Sequence, residues 1–502
     1  MNDESFLSIF FENYKKNPDK LISSDYIDSI SWQTFICKAN NFANEFKSIR
    51  KNIIPIIVDR TVNTPCAIVG CMLAKKIFVP ISSEQPINRI KKILDQLDIE
   101  YILNLGNIKL PNNYSKIELQ NFGKNPPKVF TSSIKGSEPL YILFTSGSTG
   151  IPKGVLVSHE NLLNTIKWSY SYQKWNDQDI VGITTNFGFD ISLFDLFSSL
   201  YSDIPHYIVK ESKDPFQSTK EIINNNITSI FSAPSFFSSL VKSNLIDSLK
   251  KSSLRQIFSG GDFFPPAHIN EFKKKIPKLE IYNVWGPTET SIVNTMHKIS
   301  VNDIKNALDK KKDIPIGITY HERMSCFIVN DDRTKTISKP NQIGEIVVSG
   351  DSVSLGYFKY EENKDFIIRN NKKFFYTNDK GYFDKDFNLY ITGRVGFTIK
   401  ISGYRVNLKE IESQVEAYPL VHQAIAFNPK KYKNNIFIAL ELCNKEQSNL
   451  KFGELRSFLR KSLPSYMIPK HMVIIKELPK NINGKIDRKL SENNALEIFE
   501  NE

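Results

Sequence analysis

The chain has 502 residues, 40% of them apolar and 24% charged, a composition that excludes disordered and fibrous classes and leaves room for about three compact units. Its formal charge of +12 fits either an acidic partner or no more than a solvated, lysine-rich surface. No basic block interleaved with aromatics stands out, so nucleic acid is not an expected partner, and no stretch reaches the ~18 apolar residues of a membrane span, so no insertion is expected.

In chain order, "MNDESFLSIFFENYKK" begins acidic and carries only a short apolar run, which predicts an amphipathic helix and not a signal peptide. "NIIPIIVD" predicts a strand, "NTPCAIVGCMLAKK" a helix and "IFVPIS" a strand. "PINRIKKILDQLD" has helical spacing and "IEYILNL" returns to a strand. This βαβ rhythm implies a largely parallel sheet covered by helices. Gly123 to Gly136 reads as a loop. Past Ile314 the pattern turns to strands and turns, as in "SCFIVNDD" and "GEIVVSG". After Gly393 come a hairpin, "FTIKISGYRV", a helix, "LKEIESQVEA", two strands, "QAIAFNP" and "IFIALELC", and a helix, "FGELRSFLRKSL". The expected fold is α/β: a large N-terminal domain of helix-covered sheets plus a β-rich subdomain, residues 1–393, and a small C-terminal α+β domain, residues 394–502. The five cysteines, Cys37, Cys66, Cys71, Cys326 and Cys443, are scattered and form no Cys-x-x-Cys. Reduced thiols in a cytoplasmic protein are expected, not disulfides or a zinc site.

From Tyr141 to Val155 the chain reads "YILFTSGSTGIPKGV". A buried-looking strand runs into Thr145, Ser146, Gly147, Ser148, Thr149 and Gly150, with Lys153 just beyond. Glycines let a backbone approach a ligand and aim successive N–H groups at it; hydroxyls add donors and Lys153 a positive charge. Such a loop suits a polyphosphate, although by composition alone a plain turn is the alternative. It is not a Walker A loop, because no Gly-Lys-Ser/Thr opens a helix here.

The order of these residues resembles the phosphate loop of the adenylate-forming enzymes, the superfamily of acyl-CoA synthetases, firefly luciferase and peptide-synthetase adenylation domains. Further motifs follow in that family's order over nearly the whole chain. "NVWGPTET" is similar to its Tyr-Gly-Pro-Thr-Glu motif, with Trp285 in place of the tyrosine. The resemblance implies that Trp285 stacks on adenine with Asn283 beside it, that Thr288 contacts the α-phosphate of ATP, and that Glu289 helps hold Mg²⁺. "SGGD" resembles the loop beside adenine and brings in Gly261 and Asp262. "YTNDKGYF" resembles Tyr-x-Thr-Gly-Asp and implies that Asp379 accepts both ribose hydroxyls. Asn378 stands where the family has Gly, and Asn tolerates the same left-handed backbone. "GRVGFTIKISGYRV" resembles the hinge of the small mobile domain, with Arg394 reaching ribose or phosphates and Gly396 at a pivot that is usually Asp or Lys. "LPKNINGKIDRKL" matches the motif whose lysine, here Lys485, bridges the substrate carboxylate and the α-phosphate.

"NFGFDISLFDLFSSL" resembles the Phe-Asp-x-Ser stretch of amino-acid-activating members. Asp190 would there pair with the substrate ammonium; the alternative is a helix N-cap, since a helix-like run follows it. Aligned by motif, the rest of the pocket would be Ile191, Phe194, Phe231, Phe258, Gly260, Val284, Ile292 and Val293. All are apolar or Gly, which penalises a polar side chain and favours small or branched aliphatic amino acids. No carrier domain or Gly-Gly-Asp-Ser site follows, so an acyl carrier protein would act in trans. Within the resembled family, stand-alone ligases that charge carrier proteins with D-alanine and free-standing peptide-synthetase adenylation enzymes both have this length and layout. An acid–CoA ligase for a plain carboxylic acid would not need Asp190, and a non-catalytic nucleotide-binding protein would not need Lys153, Glu289, Asp379 and Lys485.

Overall fold

The alternation of β-branched runs with amphipathic stretches forms the elements it implies. In the computed structural model, strands Ile53–Val58, Ile77–Ser82 and Tyr101–Asn104 alternate with helices Asn63–Leu73 and Ile87–Leu97. The structure describes residues 5–99, 101–110, 114–117, 134–145, 152–310, 313–318, 323–359, 364–394, 396–443, 450–479 and 486–501. The predicted loop at 123–136 lies mostly outside them.

The chain divides into two compact units: 1–83, 98–143 and 154–393 form the first, and 84–97, 144–153 and 394–502 the second. In the first unit two sheets are mainly parallel. One has eight strands among the described residues, in the order Thr295–Lys298, Glu280–Trp285, Gln256–Gly260, Ser229–Ser232, Val181–Ile183, His206–Ile208, Leu21–Ser24 and Ser29–Ser31. The other runs from Gly356–Tyr357 through Lys153–Ser158, Pro139–Thr145 and Ile77–Ser82 to Ile53–Val58 and beyond. Such strands are covered on both faces and therefore read as continuous apolar runs. Helix Asp190–Tyr201 buries Leu193, Phe194, Leu196, Phe197 and Leu200 in the core. The predicted β-rich region is an antiparallel sheet in which Met324–Val329, Gly344–Gly350, Lys372–Phe383 and Phe366–Arg369 pair in that order.

In the second unit the predicted hairpin is Thr398–Ile401 with Tyr404–Asn407. Its two-residue turn places Ser402 at φ +51° and Gly403 at φ +88°, the left-handed pair that matches strand twist. Asn407 caps helix Leu408–Glu416 by accepting the Lys409 N–H at 2.8 Å. Strands Val421–Phe427 and Phe437–Leu442 are antiparallel, and His471–Ile474 adds in parallel. That third strand and helix Arg488–Asn501 had no clear sequence pattern. "HMVI" is too short to show a period, and the helix is largely polar. Helix Ile87–Leu97 belongs to this unit, and its Arg89 forms an ion pair with Glu410 whose side chains are only 5% and 3% exposed. Burial pushes the Glu410 carboxyl up, with the Arg89 charge opposing.

None of the five cysteines is paired in a disulfide. Among the described residues no helix is long and apolar enough to cross a membrane.

Candidate active site

Four neighbouring parallel strands end side by side, and the predicted substrate residues lie at or just beyond their carboxyl ends. This is where open α/β sheets build ligand sites, because the loops that follow are free of the ladder. Register does the sorting. Phe231 pairs with Phe258, Phe258 with Tyr282, and Gly260 with Val284, so Phe231, Phe258, Gly260 and Val284 share one face of the sheet. Phe194 from the overlying helix meets Phe231 edge-on, with centroids 5.5 Å apart at 88°. Phe258 stacks on Tyr282 at 4.6 Å. Gly260 has no room for a side chain, since a Cβ would lie 2.9 Å from the Val284 carbonyl oxygen. Phe194, Phe231, Phe258, Val284, Ile292 and Val293 are all buried, and Ile191 is partly so.

Asp190 opens the helix Asp190–Tyr201 at its first turn. The cap position is Phe189, which makes no side-chain cap bond, so Asp190 is not the N-cap. Its Oδ2 accepts the Thr288 hydroxyl at 2.5 Å. Burial pushes its carboxyl above the usual range and the Glu289 charge adds to this, while the hydrogen bonds from Thr288 and the Ile191 N–H oppose. Two residues assigned separately by motif, one to the amino acid and one to phosphate, are thus joined directly. Tyr141, which sequence reasoning placed only in a strand, is fully buried, and its hydroxyl has no hydrogen-bond partner among the described residues. Burial raises its pKa and the Asp190 charge raises it further, which puts the two within electrostatic reach.

Beyond Thr288 the chain makes a short 3-10 turn, Thr288–Thr290, and Glu289 is fully buried in it. Ser291 and Ile292 then take φ values of +60° and +82°, and the Val293 N–H donates to the Ser291 carbonyl at 3.0 Å. This is a γ-turn of the rare positive-φ kind, and a β-branched residue held there costs about 1–3 kcal/mol. Its surroundings hold it in place. The Asn294 N–H donates to the Trp285 carbonyl at 2.9 Å, the Ser291 hydroxyl to the Ser352 carbonyl at 2.8 Å, and the Asn294 amide to the Ser352 hydroxyl at 3.2 Å. Gly286 makes the arrangement possible, since a Cβ there would be 2.3 Å from the Ile292 carbonyl oxygen. Gly286→Ala should therefore destabilise the protein by about 1–3 kcal/mol, as overpacking does, and should raise the amino-acid KM; urea denaturation and steady-state kinetics check both.

The face opposite Val284 on the same strand carries the predicted nucleotide residues. Asn283 donates its amide to the Pro315 carbonyl at 3.0 Å. Trp285, 2% exposed, donates its indole N–H to Oδ2 of Asp379 at 3.1 Å. Asp379 sits in an irregular stretch of Lys372–Phe383, where the pairing with Gly344–Gly350 shifts register. Asn378 there is left-handed at φ +60°. Thr377 ties the bulge down by donating to the Ile346 carbonyl at 2.7 Å and accepting the Asp379 N–H at 3.0 Å. The Asn378 N–H donates to Glu345, which Arg333 holds with two bonds of 2.8 and 2.9 Å. A bulge of this kind re-aims a side chain, here Asp379 toward Trp285. Neither Arg333 nor Glu345 belongs to a motif, so sequence reasoning missed them.

Gly261 takes φ +89°, and Asp262 accepts the Phe263 N–H at 2.7 Å. Thr145 ends its strand with its hydroxyl 3.5 Å from the Lys153 carbonyl. Arg394 closes the strand Leu389–Arg394, and Gly396 is left-handed at φ +86°. Ser146, Gly147, Ser148, Thr149, Gly150 and Lys485 lie outside the described residues.

Solved structures share this fold. The Vibrio cholerae adenylation domain AlmE, in complex with glycyl-adenosine-5'-phosphate, superposes with a TM-score of 0.81 at 20% identity, covering 99% of this chain and 98% of that one. An artificially fused adenylation–PCP di-domain from Klebsiella oxytoca gives 0.82 at 20% identity, covering 94% of each. The D-alanine–D-alanyl carrier protein ligases of Staphylococcus aureus (strain bovine RF122 / ET3-1) and Staphylococcus haemolyticus are 28% and 27% identical, over 94% and 95% of this chain and 96% of each relative. The class is that of ATP-dependent, AMP-forming ligases. The chain belongs to the AMP-binding enzyme family: that description matches residues 10–358, and the AMP-binding enzyme C-terminal domain matches residues 410–485.

Proposed function

We propose that this enzyme activates a small or branched aliphatic amino acid as its aminoacyl-adenylate and then passes it to the phosphopantetheine thiol of a separate carrier protein. The observation that carries the reading is Asp190, a carboxylate whose charge is disfavoured by burial, one helical turn before the buried Phe194, whose ring meets Phe231 on the apolar face of the sheet. A carboxylate in such a setting is stabilised when a cation arrives, and the ammonium of an amino acid is that cation. The names of the relatives, which charge a carrier with D-alanine, support the same reading. The net charge of +12 suits an acidic carrier.

In the first step a substrate carboxylate oxygen attacks the α-phosphorus of ATP, and the bond to the β-phosphate oxygen breaks to release pyrophosphate. In the second, the carrier thiol attacks the acyl carbon and AMP leaves. Two anions meet in the first step, so the protein's part is positioning and charge stabilisation. Asp190 orients the amino end and Thr288, bonded to it, faces the α-phosphate. Asp379, aimed by its bulge, takes the ribose hydroxyls; Trp285, Asn283, Gly261 and Asp262 form the adenine surroundings. Residues 145–150 and Lys153 hold the β- and γ-phosphates, Arg394 the ribose or phosphates, and Lys485 bridges the reacting groups. Among the described residues no three His, Cys, Asp or Glu side chains cluster as a metal cage, and Glu289 is a fully buried carboxylate. That donor set fits Mg²⁺, which is bound by one or two carboxylates with substrate phosphates. The ion would neutralise phosphate charge.

Amino-acid-dependent exchange of labelled pyrophosphate into ATP, run over all amino acids in both chiralities and over simple fatty and aryl acids, tests the reading. Exchange with small aliphatic amino acids is expected. Exchange with plain acids alone would make it an acid–CoA ligase, and ATP binding with no exchange would make it non-catalytic.

A further inference from the structure

Glu289 does not stand alone in its turn. Its Oε1 accepts the hydroxyl of Tyr357 at 2.8 Å, and its backbone carbonyl accepts the Ser354 N–H at 2.9 Å. Tyr357 lies outside every motif quoted above, and the structure fixes it from three directions. Its backbone pairs with Lys153–Ser158 at the end of the second mainly parallel sheet, with Gly356 opposite Leu156 and Tyr357 opposite Val155. The Phe358 N–H continues the ladder to the Gly154 carbonyl at 2.7 Å. Its ring meets Phe366 edge-on at 5.3 Å and 90°. The segment leading to it is pinned as well, since the Asn161 amide donates to the carbonyls of Asp351 and Val353 at 2.6 and 3.0 Å.

We propose that Tyr357 is a positioning residue for the divalent cation: its hydroxyl holds Oε1 of Glu289 and so sets the plane in which that carboxylate meets the ion. The proposal rests on the reading of Glu289 as the cation ligand. A glutamate carboxyl otherwise turns about its last torsion with little preference. A phenol anchored in a sheet edge and against a second ring removes that freedom. Groups one step behind a metal ligand typically change metal affinity by about 10–100-fold when lost.

The test uses the full-length protein with a non-hydrolysable ATP analogue and Mn²⁺ as a spin probe, with bound Mn²⁺ read by electron paramagnetic resonance. Tyr357→Phe should weaken Mn²⁺ binding by about 10–100-fold. It should leave the amino-acid KM at saturating Mg²⁺ unchanged and the melting midpoint close to that of the parent. Phe366→Leu removes the ring contact but keeps the hydroxyl, so it should lower the melting midpoint and spare Mn²⁺ affinity. A folded Tyr357→Phe protein with parental Mn²⁺ affinity would overturn the proposal, as would Phe366→Leu weakening Mn²⁺ as much. Glu289→Gln separates the two levels. If it abolishes Mn²⁺ binding while Tyr357→Phe does not, only the positioning role falls. If it leaves binding intact, the ligand reading and the proposal fall together.

Discussion

Asp190→Asn should strongly impair amino-acid activation, with kcat/KM in pyrophosphate exchange falling by about 30- to 5,000-fold and ATP binding kept. Truncating one partner of a buried charge pair costs about 2–5 kcal/mol, and each 1.36 kcal/mol is a factor of ~10 in rate. Asparagine keeps the shape of the side chain and an oxygen for the Thr288 hydroxyl, so the loss reports the charge and not the fold. The same variant should melt at a higher temperature near neutral pH. Burial raises the folded-state pKa of Asp190 above its unfolded value. The carboxyl's contribution to stability is therefore fully present below the unfolded pKa and is lost as pH rises through the folded pKa. At neutral pH the parent bears that penalty and the uncharged variant does not. In the parent, kcat/KM for the amino acid should fall on the acid side at a pH above the ordinary aspartate range, where Asp190 takes up its proton. Parental exchange activity in the variant would remove Asp190 from the substrate site.

Lys485→Ala should lower the rate of adenylate formation by about 10²–10³-fold, the loss seen when one preorganised donor to a developing charge is removed. ATP affinity by calorimetry should be nearly unchanged. The reason lies in when the cation is needed. Substrate carboxylate and α-phosphate are separate anions in the ground state and share charge at close range only as the new bond forms. A group that bridges them therefore acts on kcat more than on binding. Turnover at the parental rate would defeat the assignment. A proportionate loss of ATP affinity would recast Lys485 as a binding residue.

Much of the architecture could be read from local pattern. The run of strands and helices from Ile53 to Asn104 is legible because residues covered on both faces must be apolar throughout. The hairpin at 398–407 is legible because only a few residue pairs make its turn. The left-handed backbone at Asn378 was legible because Asn378 stands where the resembled motif has Gly and Asn tolerates the same conformation. Two kinds of feature escaped. Short elements such as His471–Ile474 carry too few residues to show a period. Partners that act through space carry no local signal at all: Tyr357 lies 68 residues from Glu289, and Asp379 lies 94 from Trp285.

By itself, the sequence determined the kinds of chemistry available here: a hydroxyl- and glycine-rich loop with a lysine, one carboxylate ahead of an apolar helix, and an acid next to a threonine. These follow from side-chain identity and spacing along a few residues, where geometry is set by the chain itself. Only the tertiary structure decided how those groups are held. It joined Asp190 to Thr288, set Ile292 in a turn that Gly286 alone accommodates, and placed Tyr357 against Glu289. Each of these depends on sheet register and packing between distant segments, and register is a property of the assembled sheet that no single stretch of chain contains.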